Sequence, residues 1–343
     1  MNPCAPDPLP IVTRHLRAGL DRYPNPARAT AALAEAMGVD ADRLLLTNGG
    51  AEAISLLAAE IGGRVNEPAF ALHPRDRRPD HGDAEPPLWR ANPDSPSGRL
   101  AASTDTAGAW DEAFYPLATG SWTRGDDGVR VVGSLTKLLA APGLRLGYVL
   151  ADPTLIAACR TRQPGWSVNG LACAALPHLL AAVDLEESAR GIAALRTELT
   201  ALLAAHGLAT RPSDANWSLV EAPGLRERLA PHGVLVRDCT SFRMPGVARI
   251  AVPDERGLER LDRALAAALG RGASSPFVSE SAAGSAFEAA AHAVLPVDLD
   301  GAGAQADARS DRLTKPRGAL GRLEALGSRL AAIARTCPPP VPE

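Results

Sequence analysis

Lysine is nearly absent from this 343-residue chain: 36 residues are basic, yet only Lys137 and Lys315 are lysine. Arginine is the cation everywhere else. A guanidinium stays charged, whereas an amine can lose its proton when desolvated and can form a Schiff base. A lysine kept against that bias is a candidate for such chemistry. Taken alone, Lys137 also fits a surface lysine between a strand and a loop. Cysteine is sparse as well. Cys4, Cys159, Cys173, Cys239 and Cys337 are scattered, odd in number and without C-x-x-C spacing. That pattern argues against a disulfide framework or structural zinc, so no metal site is expected and a reducing compartment is. Long apolar runs are missing, which excludes a helical membrane span. Pro3, Pro6, Pro8 and Pro10 interrupt the place where a secretory signal would become apolar. The expectation is a cytoplasmic protein. Strong charge is lacking too: the net value of −3 gives no reason to expect nucleic acid or an anionic membrane as partner.

What remains is ordinary globular composition, 46% hydrophobic and 22% charged, at a length that allows about two domains. Within it one stretch stands out, Gly133-Ser134-Leu135-Thr136-Lys137, followed by Pro142-Gly143-Leu144-Arg145-Leu146-Gly147. Ser134 precedes the lysine by three residues and Arg145 follows it by eight. A hydroxyl and a fork-shaped cation beside a Schiff-base lysine suit a phosphate-bearing cofactor. The pattern S-x-T-K-x-x-x-x-P-G-x-R-x-G resembles the lysine motif of fold-type-I pyridoxal phosphate enzymes, the aspartate-aminotransferase-like proteins. The resemblance covers roughly residues 1–270. It implies an α/β fold with a large domain and a smaller α+β domain, pyridoxal 5′-phosphate on Lys137, and a homodimer.

Other motifs extend it. Asn48-Gly49-Gly50-Ala51 enters a helix read over Ala53–Ile61. Paired glycines at a helix start make an anion site from free N–H groups and the helix dipole, although most such pairs are only turns. Gly50 and Ala51 are the candidates for the cofactor phosphate, with Ser134 and Arg145. Phe70 matches the aromatic on the pyridine face; a core phenylalanine is the alternative. Asn92-Pro93-Asp94-Ser95-Pro96-Ser97-Gly98 resembles N-P-x-N-P-T-G, with the shorter Ser95 where the family has its ring-oxygen donor. Asp111-Glu112-Ala113-Phe114 resembles D-E-A-[YF]. There the aspartate holds a proton on the pyridine nitrogen and makes the ring an electron sink. Tyr23, in a Tyr-Pro pair, matches a residue that reaches the partner subunit's cofactor phosphate. It equally fits a locally packed turn aromatic.

The chain also departs from the family. Only 24 residues separate Phe70 from Ser95, and a strand–helix–strand unit takes about 30 or more. The large domain is therefore expected to lack a helix, with the loss of a strand left open. Further along, Gln163-Pro164-Gly165-Trp166-Ser167-Val168-Asn169 resembles a P-W-S-V-N segment of threonine-phosphate decarboxylases of cobalamin biosynthesis. Phe114 points the same way. Trp166 and Asn169 enter as substrate-binding candidates. Two apolar strands are read at Val234–Cys239 and Ala248–Val252, and a third at Pro212–Val220 with Ala215-Asn216-Trp217 matching the family's A-N-F. By resemblance, Arg249 clamps a substrate carboxylate, and Arg237 is a candidate for its phosphate.

Residues 271–290 read as a Gly/Ser/Ala linker. The run Asp311-Arg312-Leu313-Thr314-Lys315-Pro316 through Glu324 resembles the start of nicotinate-nucleotide:dimethylbenzimidazole phosphoribosyltransferase. The expected organisation is an arm (1–24), a cofactor-binding domain (25–150), a smaller domain (151–270), the linker, and a helical stub (291–343). The leading expected activity is decarboxylation of L-threonine O-3-phosphate. An aminotransferase of the histidinol-phosphate type is the alternative. A third reading is a catalytically impaired partner fused to a phosphoribosyltransferase.

Overall fold

The computed structural model describes residues 1–79, 85–125 and 129–270. The linker and stub, with Lys315, lie outside the described residues. Among those described, six strands form one sheet: β1 (Leu44–Asn48), β2 (Arg64–Val65), β3 (Leu88–Ala91), β4 (Ala109–Asp111), β5 (Val131–Ser134) and β6 (Leu146–Leu150). Their order is β1-β6-β5-β4-β3-β2. The ladders β2–β3, β3–β4 and β4–β5 are parallel. Strand β6 runs antiparallel to both neighbours, β1 and β5. A smaller antiparallel sheet follows, ordered β7 (Trp217–Glu221), β9 (Val247–Ala251), β8 (Arg237–Asp238).

The helices are α1 (Leu9–Leu20), α2 (Ala27–Met37), α3 (Gly49–Ile61), α4 (Tyr115–Thr119) and α5 (Leu135–Leu138), then α6 (Pro153–Arg162), α7 (Gly170–Ala182), α8 (Leu185–Ala205), α9 (Leu225–Leu229) and α10 (Glu255–Leu269). Strands of the large sheet alternate between two cores, as the period of two requires. Leu45, Val132 and Val149 meet Ala53, Leu57 and Ile156 from α3 and α6. Leu44, Leu46, Val131 and Tyr148 meet Leu33 from α2 and Leu176 from α7 on the other face. A third core joins α8 and α10 to the small sheet through Leu199, Leu203, Val220, Ile250 and Leu261.

The caps follow from side-chain chemistry. Asp152, Asp184, Asn169 and Asp254 each accept a first-turn N–H, at the starts of α6, α8, α7 and α10. Gly38 ends α2 in the left-handed region at φ 68°.

Three sequence readings shift. Helix α3 begins at Gly49 rather than Ala53, so both glycines are helical. The apolar run 234–239 contributes only the pair Arg237–Asp238 to the sheet, and Leu235 is exposed. The ladder read over 212–220 is confined to Trp217–Glu221, plus a bridge from Thr210 to Val220. As expected, no helix connects β2 to β3 or β3 to β4 among the described residues. Nor is any helix among them long and apolar enough to cross a membrane. The four described cysteines are free thiols.

Leu176 is fully buried between the sheet and α2. Leu176→Ala should therefore cost about 2–5 kcal/mol, read as a lower denaturation midpoint at unchanged slope. Leu235→Ala, at an exposed position, should stay within about 0.5 kcal/mol of the parent.

Candidate functional site

Strands β1 to β5 all point the same way, so their carboxyl ends share one edge of the sheet. Strand β6 begins at that edge: Leu146 lies opposite Asn48 and Gly147 opposite Ser134. Open α/β sheets bind ligands at such an edge. Here it gathers Gly49 and Gly50 after β1, Ser95 after β3, Asp111 at the end of β4, Ser134 and Lys137 after β5, and Arg145 before β6.

A cradle forms where α3 starts. Gly49 takes φ +80°, and a Cβ there would lie 2.5 Å from Arg145 Nη2. At Gly50 a Cβ would lie 3.4 Å from that of Ser134. Arg145 itself is left-handed at φ 54°, a conformation costly for a side chain bearing a Cβ. Gly147 lets the strand touch the helix start; a Cβ there would fall 2.4 Å from the Gly49 carbonyl carbon. Ser134 Oγ and Thr136 Oγ1 are hydrogen-bonded at 2.8 Å beside the cradle. The donor set is thus a guanidinium, two hydroxyls and the N-terminus of a 13-residue helix. This chemistry fits a phosphate. Glu52 is an acid in the same first turn. Its carboxylate is occupied by donors from the Asn48 N–H (2.6 Å), Gln163 Nε2 (3.1 Å) and Ser167 Oγ (3.2 Å).

Across the edge lies Asp111, almost buried. Its Oδ1 accepts the Ala113 N–H at 3.0 Å, and its Oδ2 accepts from His73 Nε2 at 2.8 Å. His73 is fully enclosed, and its Nδ1 has no partner among the described residues. Phe70 meets the His73 ring edge-on at 5.5 Å. His73 therefore fixes Asp111 from below. The sequence reading missed it, because a lone histidine in a Pro-rich stretch carries no motif.

Lys137 and Arg249 join through aromatic rings. Lys137 Nζ lies 5.9 Å from the Phe114 ring, and Phe114 meets Trp217 edge-on at 4.8 Å. The Arg249 guanidinium sits 5.2 Å from Trp217 and 5.7 Å from Phe242. Arg237 is paired directly with Arg249 across β8 and β9, and lies 4.8 Å over Phe242. Such rings hold guanidiniums by their negative faces. Both cations also act on the buried Met1 amino group, whose pKa burial, then Lys137 and Arg249, lower to about 6.

The first residues close the site. Asn2 is buried; its N–H donates to the Lys137 carbonyl at 3.0 Å, and its Nδ2 to the Leu138 carbonyl (3.1 Å) and Ser188 Oγ (3.2 Å). Asn216 Nδ2 donates to the Met1 carbonyl at 3.1 Å. The sequence reading placed Asn2 only within the arm at 1–24.

The remaining candidates differ in their surroundings. Ser95 is buried in the loop after β3. Tyr23 stands exposed, 4.9 Å from the equally exposed Trp166. Asn169 stands at the start of α7. Its Oδ1 caps α7 and its Nδ2 donates to the Leu144 carbonyl, so both ends of the amide are engaged inside the fold. No cluster of three metal-ligating side chains occurs among the described residues.

The sequence matches the family described as aminotransferase class I and II over residues 107–265. Residues 296–343 match a second family, described as phosphoribosyltransferase. Histidinol-phosphate aminotransferase from Symbiobacterium thermophilum is 30% identical over 324 residues, 79% of this chain and 89% of that protein. Among solved structures, L-threonine-O-3-phosphate decarboxylase from Porphyromonas gingivalis aligns with a TM-score of 0.63 at 22% identity, covering 77% of this chain and 95% of that one. Histidinol-phosphate aminotransferase from Sinorhizobium meliloti, solved with pyridoxal-5′-phosphate, aligns with a TM-score of 0.62 at 19% identity, covering 78% and 88%. These two structural likenesses show the shared fold. The cradle, the lysine and the paired aspartate are a donor set that suits pyridoxal phosphate.

Gly147→Ala should push α3 away from β6 and spoil the cradle, weakening cofactor affinity by at least about tenfold. Absorbance titration of the cofactor-free protein checks this, with circular dichroism confirming the fold. Unchanged affinity would place the phosphate elsewhere.

Proposed function

The chain belongs to the class I and II aminotransferases, and we propose that it transaminates a small phosphorylated amine of the histidinol-phosphate kind. It is a pyridoxal-phosphate-dependent enzyme. When bound, the cofactor supplies an electron sink for charge developing at the substrate Cα.

The proposal assigns the residues as follows. Gly50, Ala51, Ser134 and Arg145 hold the cofactor phosphate. Phe70 lies on the ring face, while Ser95 and Phe114 border the ring oxygen. Asp111, fixed by His73 at 2.8 Å, keeps the proton on the ring nitrogen. Lys137 Nζ holds the cofactor and carries the proton removed from Cα. Its Nζ lies 5.9 Å from the Phe114 ring.

The observation that carries the substrate class is the register pair Arg237–Arg249, two guanidiniums on one face of the small sheet around Phe242. Two fork-shaped cations side by side suit a phosphate or a carboxylate of either half-reaction. The 30% identical relative supports transamination ahead of decarboxylation, the reverse of the order expected from the motifs.

A second reading stays with the decarboxylase of threonine phosphate. Two observations favour it: the Pro164–Asn169 segment that shares Glu52 with the cradle through Ser167, and the phosphoribosyltransferase match at 296–343.

The proposal keeps 1–24 as an arm, 25–150 as the cofactor-binding domain and 151–270 as the smaller domain. It also includes a second copy of the chain. Leu9, Leu16 and Leu20 stand exposed on α1 at spacings of seven and four, near the exposed pair Tyr23 and Trp166.

Borohydride reduction followed by peptide mapping should place a pyridoxyl group on Lys137, and Lys137→Arg should abolish both labelling and turnover. Label on another residue would displace the assignment.

The reaction is decided by incubating the cofactor-loaded protein with histidinol phosphate or labelled threonine phosphate, with and without 2-oxoglutarate. Glutamate formed from 2-oxoglutarate, without carbon dioxide, is the expected result. Carbon dioxide released without any keto acid would establish the second reading.

A further inference from the structure

The loop 92–99 and the segment 213–217 are sewn together. The N–H groups of Asp214 and Ala215 donate to the Gly98 carbonyl at 2.8 and 3.1 Å. Leu100 N–H donates to Asp214 Oδ2 at 3.0 Å, and Trp217 Nε1 to the Pro96 carbonyl at 2.9 Å. One side of this seam carries Ser95, the other Trp217 beneath Arg249. A cleft of about 520 Å³ opens along the seam, and Lys137, Asp111, Arg237 and Arg249 are not among its lining residues. It is lined by Arg99, Arg196 and Arg211 together with Thr197, Thr200 and Ser213.

Two acids answer these three cations. Asp214 Oδ2 lies 3.6 Å from Arg99 Nε, and Glu221 Oε1 lies 2.6 Å from Arg211 Nη2. Glu221 is largely exposed, so that pair is weakly held. Arg196 is the half-buried member. Its Nη1 donates to the Asp214 and Ala215 carbonyls, both at 3.0 Å. Burial pushes its pKa down, with Asp214 opposing. A desolvated guanidinium held by carbonyl oxygens leaves positive potential in the cleft.

We propose that this cleft is a second anion site, for a small phosphate-bearing molecule, separate from the reaction site. An anion bridging Arg99 to Arg196 and Arg211 would brace the loop bearing Ser95 against the strand bearing Trp217. Its occupancy would therefore tune the reaction site without entering it.

The test uses the protein with its cofactor bound and pyrophosphate as probe, at ionic strength held constant with chloride. Equilibrium titration should show saturable binding. The double variant R99A/R211A, altered at two substantially exposed side chains, should bind at least about tenfold more weakly. The double variant R237A/R249A should keep parental affinity for the same probe. The proposal is overturned by no saturable binding to the parent, or by equal affinity in R99A/R211A. It is also overturned if R237A/R249A removes the binding, because the probe would then be in the reaction site.

Discussion

The site depends on one reversed strand. If β6 ran parallel to its neighbours, its start would lie at the far end of the sheet and Arg145 with it. Running antiparallel between β1 and β5, it delivers Arg145 to the carboxyl edge, beside both Gly49 and Ser134. The cost of this meeting is steric. Strand and helix start approach so closely that only glycine fits at 147, and Arg145 must take a left-handed backbone. The strain is offset by the ladder of β6, which is buried along its length and paired on both sides.

A second constraint links the two sheets. Lys137, Phe114, Trp217, Arg249, Phe242 and Arg237 form a file of cations and rings, with Phe114 and Trp217 adjacent. Each ring excludes water from a cation and orients it. On the proposed reading, a carboxylate or phosphate would meet guanidiniums already oriented by these rings, so little reorganisation remains on binding. Asn2 and Asn216 tie the start of the chain over the same place, joining the turn of Lys137 to the small sheet.

How much of this was legible follows from where each signal resides. Lys137 was visible because the composition left it almost alone. Asp111, Ser134, Arg145 and the Gly49-Gly50 pair sit in short patterns whose spacing is local, so sequence carries them. His73 is different: its partner Asp111 is 38 residues away, and only the strand order brings the two together. Phe242 and Asn2 were silent for the same reason. A motif records that a residue matters and not what it bonds; Asn169 caps α7 here. Residues 234–239 look like a strand because they are apolar, but β9 offers partners only to Arg237 and Asp238. Apolarity there reflects contact of Val234 and Val236 with the α8–α10 core.

Among the described residues no helix connects β2 to β3 or β3 to β4, which raises the question of how this part of a parallel sheet survives with less of its usual cover. Two tryptophans and their neighbours answer it. Trp89 fills one face of β3, donating Nε1–H to the Gly62 carbonyl at 3.0 Å; the loop 62–77 folds over it, and Gly63 leaves room where a Cβ would strike the indole. Trp110 fills the opposite face of β4. There the guanidiniums of Arg124 and Arg90 lie 4.7 and 5.5 Å from the ring centre, in the place a helix would otherwise occupy. A stacked guanidinium presents an apolar plane to the ring and polar edges to water, so it can close a core that is one layer short. The loop that covers Trp89 also carries His73, 5.8 Å from the same indole. The packing that replaces a helix is thus the packing that holds Asp111 in place. Shortening the domain at this point is therefore compatible with keeping Asp111 fixed.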